Sequence, residues 1–364
     1  MVPEEPGIGP SSTRMPGFLV PLVVAGVLGV VGIFVWAAVA TGVWHDDGSY
    51  LLLAKSLAEG EGLRYSQVAG SPPGAKFPPL YPLFLALLWR LVPEALGQGT
   101  LASFFNVLFV VSSGGLFGAY LRSLNFSSQS AVTAAVLFWM LPDLWRLALV
   151  PLSEPLFLVA LVAALWTGSC LEVEPIWRRF GEFLAAFAFA YHTRTMGLAV
   201  GIAVPLALLL RGRTAWAVRS AAGALVISAP WLIWSGRAGA TIPAPLRDTL
   251  SPYASWFAIQ AGGGSGYLGV MVGRALALAG RIIGVFFPGA QGWGAVLVVG
   301  LACSVLVVGV RRLSAQTWTP MLTAAALLTG MLWLWPYQEV RLAMPLIPIL
   351  GMVMVPGSGP RLSG

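Results

Sequence analysis

Long apolar runs alternate with short polar turns along most of the chain. Residues 18–41 carry no charge at all. About 20 residues at 1.5 Å each cross the hydrocarbon core of a bilayer, so this run predicts a full transmembrane helix. A cleavable signal peptide has a shorter apolar core of ~7–15 residues, which predicts that the segment is an uncleaved anchor. Further apolar runs occupy about 79–92, 101–121, 130–150, 154–171, 182–191, 195–210, 215–234, 291–310, 319–336 and 342–356. Some are too short to cross alone.

The turns between these runs carry the basic residues Arg122, Arg178 with Arg179, Arg211 with Arg213 and Arg219, and Arg311 with Arg312. The positive-inside rule places such turns, with Arg14, in the cytoplasm. Glu154, the tip at His192, Thr193 and Arg194, and residues 336–341 then fall outside, on the same face as residues 44–78. Parity leaves one conflict. If 79–92 crosses before 101–121, the count comes out wrong, so either that short run is re-entrant or Arg122 misleads. Residues 1–17, rich in Pro, Gly and Ser, predict a disordered cytoplasmic tail, and 357–364 a short one. Residues 235–290 read as a second outer loop, with an interfacial helix at 270–287 interrupted by Arg274 and Arg281.

Composition fixes the class. The chain has 364 residues, is 57% hydrophobic and 10% charged, with a mean hydropathy of +0.82. Soluble domains carry about 25% charged residues, so the chain is read as an all-α polytopic integral membrane protein of about 10–11 membrane segments. The net charge of +7 does not point to nucleic acid, because the basic residues form small clusters between apolar runs rather than a patch. The two cysteines, Cys170 and Cys303, lie in or beside apolar runs and predict neither a disulfide nor a metal-thiolate site.

Against this background residues 44–82 stand out, with Asp46, Asp47, Lys55, Glu59, Glu61, Arg64 and Lys76 in one stretch. From Ser49 to Glu59 a short amphipathic helix is predicted to lie on the membrane, ended by Gly60 and Gly62. The prolines at 72, 73, 78 and 79 exclude helix up to about Leu80. A carboxylate just beyond a helix end at the membrane surface can act as a general base, because partial burial raises its pKa toward the working range. It can equally be a helix cap. Lys76, ahead of Pro78 and Pro79, is able to hold a phosphate as a point charge, or simply snorkels. Arg194 and Arg341 sit at depths where an arginine is costly unless paired or functional. Glu154 either serves a site or stabilises its helix N-terminus. Tyr50 and Tyr81 either stack on a ring of a substrate or belong to an interfacial belt. Asp46 and Asp47 beside His45 are also able to hold a divalent ion, although the two histidines are far apart in sequence. No Walker loop, dinucleotide fingerprint or hydrolase elbow is present.

The order of Asp46, Asp47, Tyr50, Ala54, Leu57, Ala58, Glu59, Gly60, then Lys76, Pro78, Pro79, Tyr81, Pro82 resembles the polytopic GT-C glycosyltransferases, within them the protein O-mannosyltransferase and aminoarabinose-transferase-like group. Leu152–Ser153–Glu154–Pro155 opening a helix, Arg194 with Gly197, and Arg341 followed by Pro345 and Pro348 are similar too. The chain is short for the family and has Asp-Asp where Asp-Glu is usual. The resemblance implies a GT-C bundle and a transferase that takes a sugar from a polyprenyl-phosphate donor on the outer face of the cell membrane. It implies Asp46 as the base, with Asp47 and Glu154 as further acids, and Lys76, Arg194, Arg341, Tyr50 and Tyr81 around the substrate. The acceptor is a glycan, a lipid or a protein. A rival expectation is a transporter or flippase of a lipid-linked or small polar substrate. Transporters, however, gather polar residues at the midplane within repeats, and no repeat is visible. A non-catalytic member of the fold is the third alternative.

Overall fold

The computed structural model describes residues 42, 44, 46–94, 99–124, 126–253 and 320–334. The expected helices at 18–41, 291–310 and 342–356, most of the second outer loop, His45 and Arg341 lie outside these residues. Among the described residues there is no β-strand, only an isolated antiparallel bridge between Arg64 and Pro73.

The first helix, α1, runs over Asp46–Ala58, starting three residues before the expected Ser49. Acids are favoured in a first helical turn, where backbone N–H groups are unpaired and the helix dipole is positive. Asp47 exploits this: its carboxylate accepts from the N–H groups of Gly42 (2.7 Å), Trp44 (3.3 Å) and Gly48 (2.8 Å). The helix ends where expected, with Gly60 and Gly62 both at positive φ. It does not lie on a surface, however. Each of its residues is buried or half-buried, with Tyr50, Leu53 and Ala54 packed inside.

Helix α2 (Leu80–Leu91) is 12 residues long, about 18 Å, too short to cross. Helix α3 (Thr100–Ser123) follows. At the start of α2, Tyr81 donates to Asn106 near the start of α3, so both helices begin at the same end of the bundle. A short run that begins at the end where α3 begins is what the re-entrant alternative expects.

The apolar run 130–150 is not one helix. It divides into α4 (Ser128–Trp139) and α5 (Pro142–Ala148), because Pro142 holds Leu141 in an extended conformation. Helix α6 (Glu154–Val173) is central and packs against α3, α7 (Trp177–Thr193) and α8 (Leu198–Leu210). Helix α9 (Thr214–Ala240) covers α7 and α8, and after the four-residue α10 (Arg247–Leu250), α11 (Pro320–Leu334) packs on α8 and α6. Three of these helices, α3, α6 and α9, are long and apolar enough to cross a membrane.

Helix α9 shows how the bilayer shapes the fold. Its buried stripe is Ala217, Ser220, Ala224, Ser228, Trp231, Ser235 and Gly239, while Val218, Leu225, Val226, Leu232 and Ile233 are exposed. In water this would be inside out. In lipid it is expected, since apolar side chains gain nothing by leaving the hydrocarbon and small residues let helices approach closely.

The two ends of the bundle are distinct. Glu154 opens α6, and Glu172, 18 residues on, closes it about 27 Å away. At the Glu172 end, Arg211 pairs with Glu172 at 2.5 Å, Arg213 donates to the carbonyls of Glu172 and Val173, and Arg179 pairs with Glu174 at 3.4 Å. The basic turns at 178–179 and 211–213 thus meet at one end, as the charge pattern predicts. Asp46, Lys76, Glu154 and Arg194 lie at the other.

Between α7 and α8 the chain makes a 3₁₀ turn at Thr195–Gly197. A Cβ on Gly197 would stand 2.7 Å from the Tyr191 nitrogen and 2.8 Å from the Ala190 carbonyl carbon, backbone that cannot retreat. Gly197→Ala is therefore expected to destabilise by about 1–3 kcal/mol, read as a lower thermal midpoint in detergent. An unchanged midpoint would mean that the turn opens without cost.

Candidate active site

Four segments converge at the Asp46 end: the start of α1, the loop before α2, the 149–154 approach to α6, and the break between α7 and α8. Asp46 and Lys76 are 30 residues apart, yet the Lys76 Nζ stands 3.5 Å from the Asp46 Oδ1. Both side chains are mostly enclosed, 13% and 12% exposed. The chain bends at Lys76 and Phe77, and the prolines on either side keep it out of a helix. Its ammonium also faces the ring of Phe77 at 5.1 Å and that of Tyr253 at 5.5 Å, a favourable placement for a cation.

One helical turn after Asp46, Tyr50 lies on the same side of α1. Its hydroxyl shares a 2.7 Å hydrogen bond with the Ser153 Oγ, which also accepts from the Arg194 Nη1 at 3.0 Å. Arg194 pairs with Glu154 at 2.8 Å, with 10% and 3% of the two side chains exposed. Burial pushes the Tyr50 phenol well above its usual pKa, so it stays protonated and serves as a neutral hydrogen-bonding group. Tyr81 is fully buried, edge-on to Tyr50 at 5.0 Å. Its partner Asn106 donates in turn to the carbonyls of Val150 (2.7 Å) and Leu152 (3.2 Å). The loop leading to Glu154 is thereby fixed from behind.

The structure therefore brings Asp46 together with Lys76, and Tyr50 with Glu154 and Arg194. Arg194 is engaged by Glu154 and Ser153, and Tyr81 is packed behind Tyr50. Asp47 is not part of the pair: it is fully buried and bound to the backbone ahead of α1. A divalent ion fits this donor set poorly. Asp47 already accepts three N–H groups, Asp46 faces an ammonium, and no three metal-ligating side chains cluster among the described residues.

Ser153 and Asn106 are central to the network, but the sequence assigned neither a role. Asn106 was findable, because a polar side chain inside an otherwise apolar spanning run demands a partner. Ser153 stood in the Leu-Ser-Glu-Pro motif, with nothing to say that two side chains from distant segments would meet on it.

No protein-family model and no curated protein matches the chain. Among solved structures it is similar to ArnT from Cupriavidus metallidurans, crystallised bound to undecaprenyl phosphate, with a TM-score of 0.60 and 16% identity. The match takes in 94% of this chain and 60% of that one. At this identity the likeness establishes the fold, a polytopic GT-C architecture, and no closer relationship.

The buried pair makes a sharp prediction. Glu154→Ala takes the carboxylate from a buried guanidinium and Arg194→Ala the guanidinium from a buried carboxylate, so each is expected to cost roughly 3–5 kcal/mol. The double variant should cost clearly less than the two together. Thermal melts of the three variants test this, and strictly additive losses would show that the two side chains do not depend on each other.

Proposed function

We propose that the protein is a membrane glycosyltransferase that moves a sugar from a polyprenyl-phosphate donor to an acceptor hydroxyl on the outer face of the cell membrane. The observation that carries this is the Asp46–Lys76 pair, a base and a phosphate-binding cation side by side on a GT-C fold. The fold's likeness to ArnT, which was crystallised bound to undecaprenyl phosphate, supports a polyprenyl-phosphate ligand.

The chemistry follows from the charges. The acceptor oxygen attacks the anomeric carbon and its proton passes to the Asp46 carboxylate. The bond between that carbon and the phosphate oxygen breaks, and the polyprenyl phosphate leaves with the electron pair. Lys76 neutralises the charge that develops on it. Before the donor arrives, the Lys76 ammonium rests on Asp46. A lipid phosphate draws it away from Asp46. Glu154, Arg194 and Ser153 hold Tyr50 and the floor of the site. The acceptor is a glycan, a lipid or a protein hydroxyl.

The test is transfer from radiolabelled polyprenyl-phosphate sugars in membranes. Asp46→Asn keeps the shape and removes the base, and is expected to lose at least ~100-fold. Lys76→Ala should raise the donor KM by about tenfold, the loss of one charge-assisted contact. An Asp46→Asn variant as active as wild type would remove Asp46 as the base. A wild type inactive with every donor would favour a transporter or a non-catalytic protein of the same fold.

A further inference from the structure

A second site lies beside the first. Residues 63–74 form a small hairpin, closed by hydrogen bonds from Tyr65 N–H to the Pro72 carbonyl and from Gly74 N–H to the Leu63 carbonyl, both 2.9 Å. Between this hairpin and the last turns of α9 is a cavity of about 570 Å³, lined by Arg64, Pro72, Pro73, Trp234, Ala238 and Thr241 among others. A neighbouring cavity of about 430 Å³ shares Trp234, Ala238 and Thr241 as a common wall and adds Pro230, Ile233 and Arg237.

The two halves differ in chemistry. The hairpin half offers Arg64 and backbone polar groups. The α9 half has Pro230 and Ile233 on one side and Arg237 a turn further along. It opens on the surface where Leu232 and Ile233 are exposed, 45% and 54%, the face that meets lipid. Trp234, 38% exposed, stands at the junction, where an indole favours the boundary between hydrocarbon and headgroups. Neither the Arg64 nor the Arg237 side chain has a hydrogen bond or ion pair among the described residues. A single such arginine would be read as snorkelling to the interface. Two of them, 173 residues apart in sequence, border adjoining cavities with a common wall, Arg64 the first and Arg237 the second.

We propose that this double cavity binds an acidic phospholipid of the bilayer, its phosphate between Arg64 and Arg237 and an acyl chain along Pro230 and Ile233. A phosphate suits guanidinium geometry, and the volumes fall in the range of small-molecule sites, roughly 300–1,000 Å³. The site is separate from the donor contact assigned to Lys76. The two are connected, because only three residues, at most about 10 Å of extended chain, lead from Pro73 in the cavity wall to Lys76. A bound phospholipid would brace the hairpin from which that lysine is held.

The experiment needs no transferase activity, so its failure is distinct from failure of the proposed function. The full chain is reconstituted in phosphatidylcholine nanodiscs containing a small share of phosphatidylglycerol, and the lipids retained on repurification are counted by mass spectrometry. Wild type should enrich phosphatidylglycerol over its share. The double variant Arg64→Gln/Arg237→Gln should lose that preference by about tenfold, and Arg237→Lys, which keeps the charge, should retain most of it. Both arginines are exposed, so an unchanged circular dichroism spectrum is expected of each variant. The proposal is overturned if the double variant keeps the preference. It is also overturned if undecaprenyl phosphate, added in a parallel arm, is retained through these arginines in place of phosphatidylglycerol, since the cavity would then belong to the donor. Inorganic phosphate that displaces the lipid at equal concentration would likewise overturn it, by showing an anion site with no use for the chain.

Discussion

The Glu154–Arg194 pair is the contact on which the Asp46 end of the bundle depends. Two charges taken out of water cost several kcal/mol each, recovered only by good geometry and further hydrogen bonds. Here the recovery is distributed. Arg194 also donates to Ser153, Ser153 bonds Tyr50, and Asn106 holds the carbonyls two and four residues before Glu154. Four segments are therefore tied to one ion pair: α1, α3, the start of α6 and the α7–α8 break. The 3₁₀ turn that presents Arg194 is admitted by a glycine where the backbone of α7 leaves no room for a side chain. Burying the pair at the top of α6 thus aligns α1, and with it Asp46, against the rest of the bundle.

The bilayer supplies the opposite constraint. With no hydrophobic drive between helices in lipid, contacts come from small residues and from hydrogen bonds. Gly168 of α6 meets Val204 of α8, where a Cβ would stand 2.5 Å from a valine methyl, and Tyr120 of α3 shares a 2.7 Å bond with Ser169 of α6. Charges are driven to the two ends. At the Glu172 end they knit turns together. At the Asp46 end they form two enclosed ion pairs, Asp46–Lys76 and Glu154–Arg194.

That separation is why so much was legible in the sequence. A chain with 10% charged residues cannot scatter them, so the polar stretches at 44–82, 154 and 192–194 had to mark the ends of apolar segments, and they do. The glycine stop of α1 and the helix break at Arg194 followed from local chemistry. Other features did not. The start of α1 depended on Asp47 reaching back to Gly42 and Trp44. The division of 130–150 falls at Pro142, beside Asp143 and Arg146, two charges that the reading of one apolar run passed over. The side on which α2 ends was hidden because a 12-residue apolar helix reads the same whether it crosses or packs sideways. Pairings were the least accessible: Asp46–Lys76 spans 30 residues, Glu154–Arg194 40 and Tyr50–Ser153 103, and no local pattern records a separation.

The two ion pairs at this end differ in kind, and the difference matters for the proposed function. Arginine is weakly hydrated and planar, suited to a fixed, buried contact, and Arg194 is in one. Lysine is a compact charge on a flexible stem, and Lys76 sits 3.5 Å from its partner. A pair that tight and that buried at Glu154 is costly to exchange for a ligand, because breaking it separates two buried charges. The looser pair can be exchanged, because an arriving phosphate replaces the carboxylate as the partner of the ammonium. Under the proposed function, the permanent pair fixes the scaffold and the exchangeable one meets the donor, so that donor binding and exposure of the proposed base become a single event.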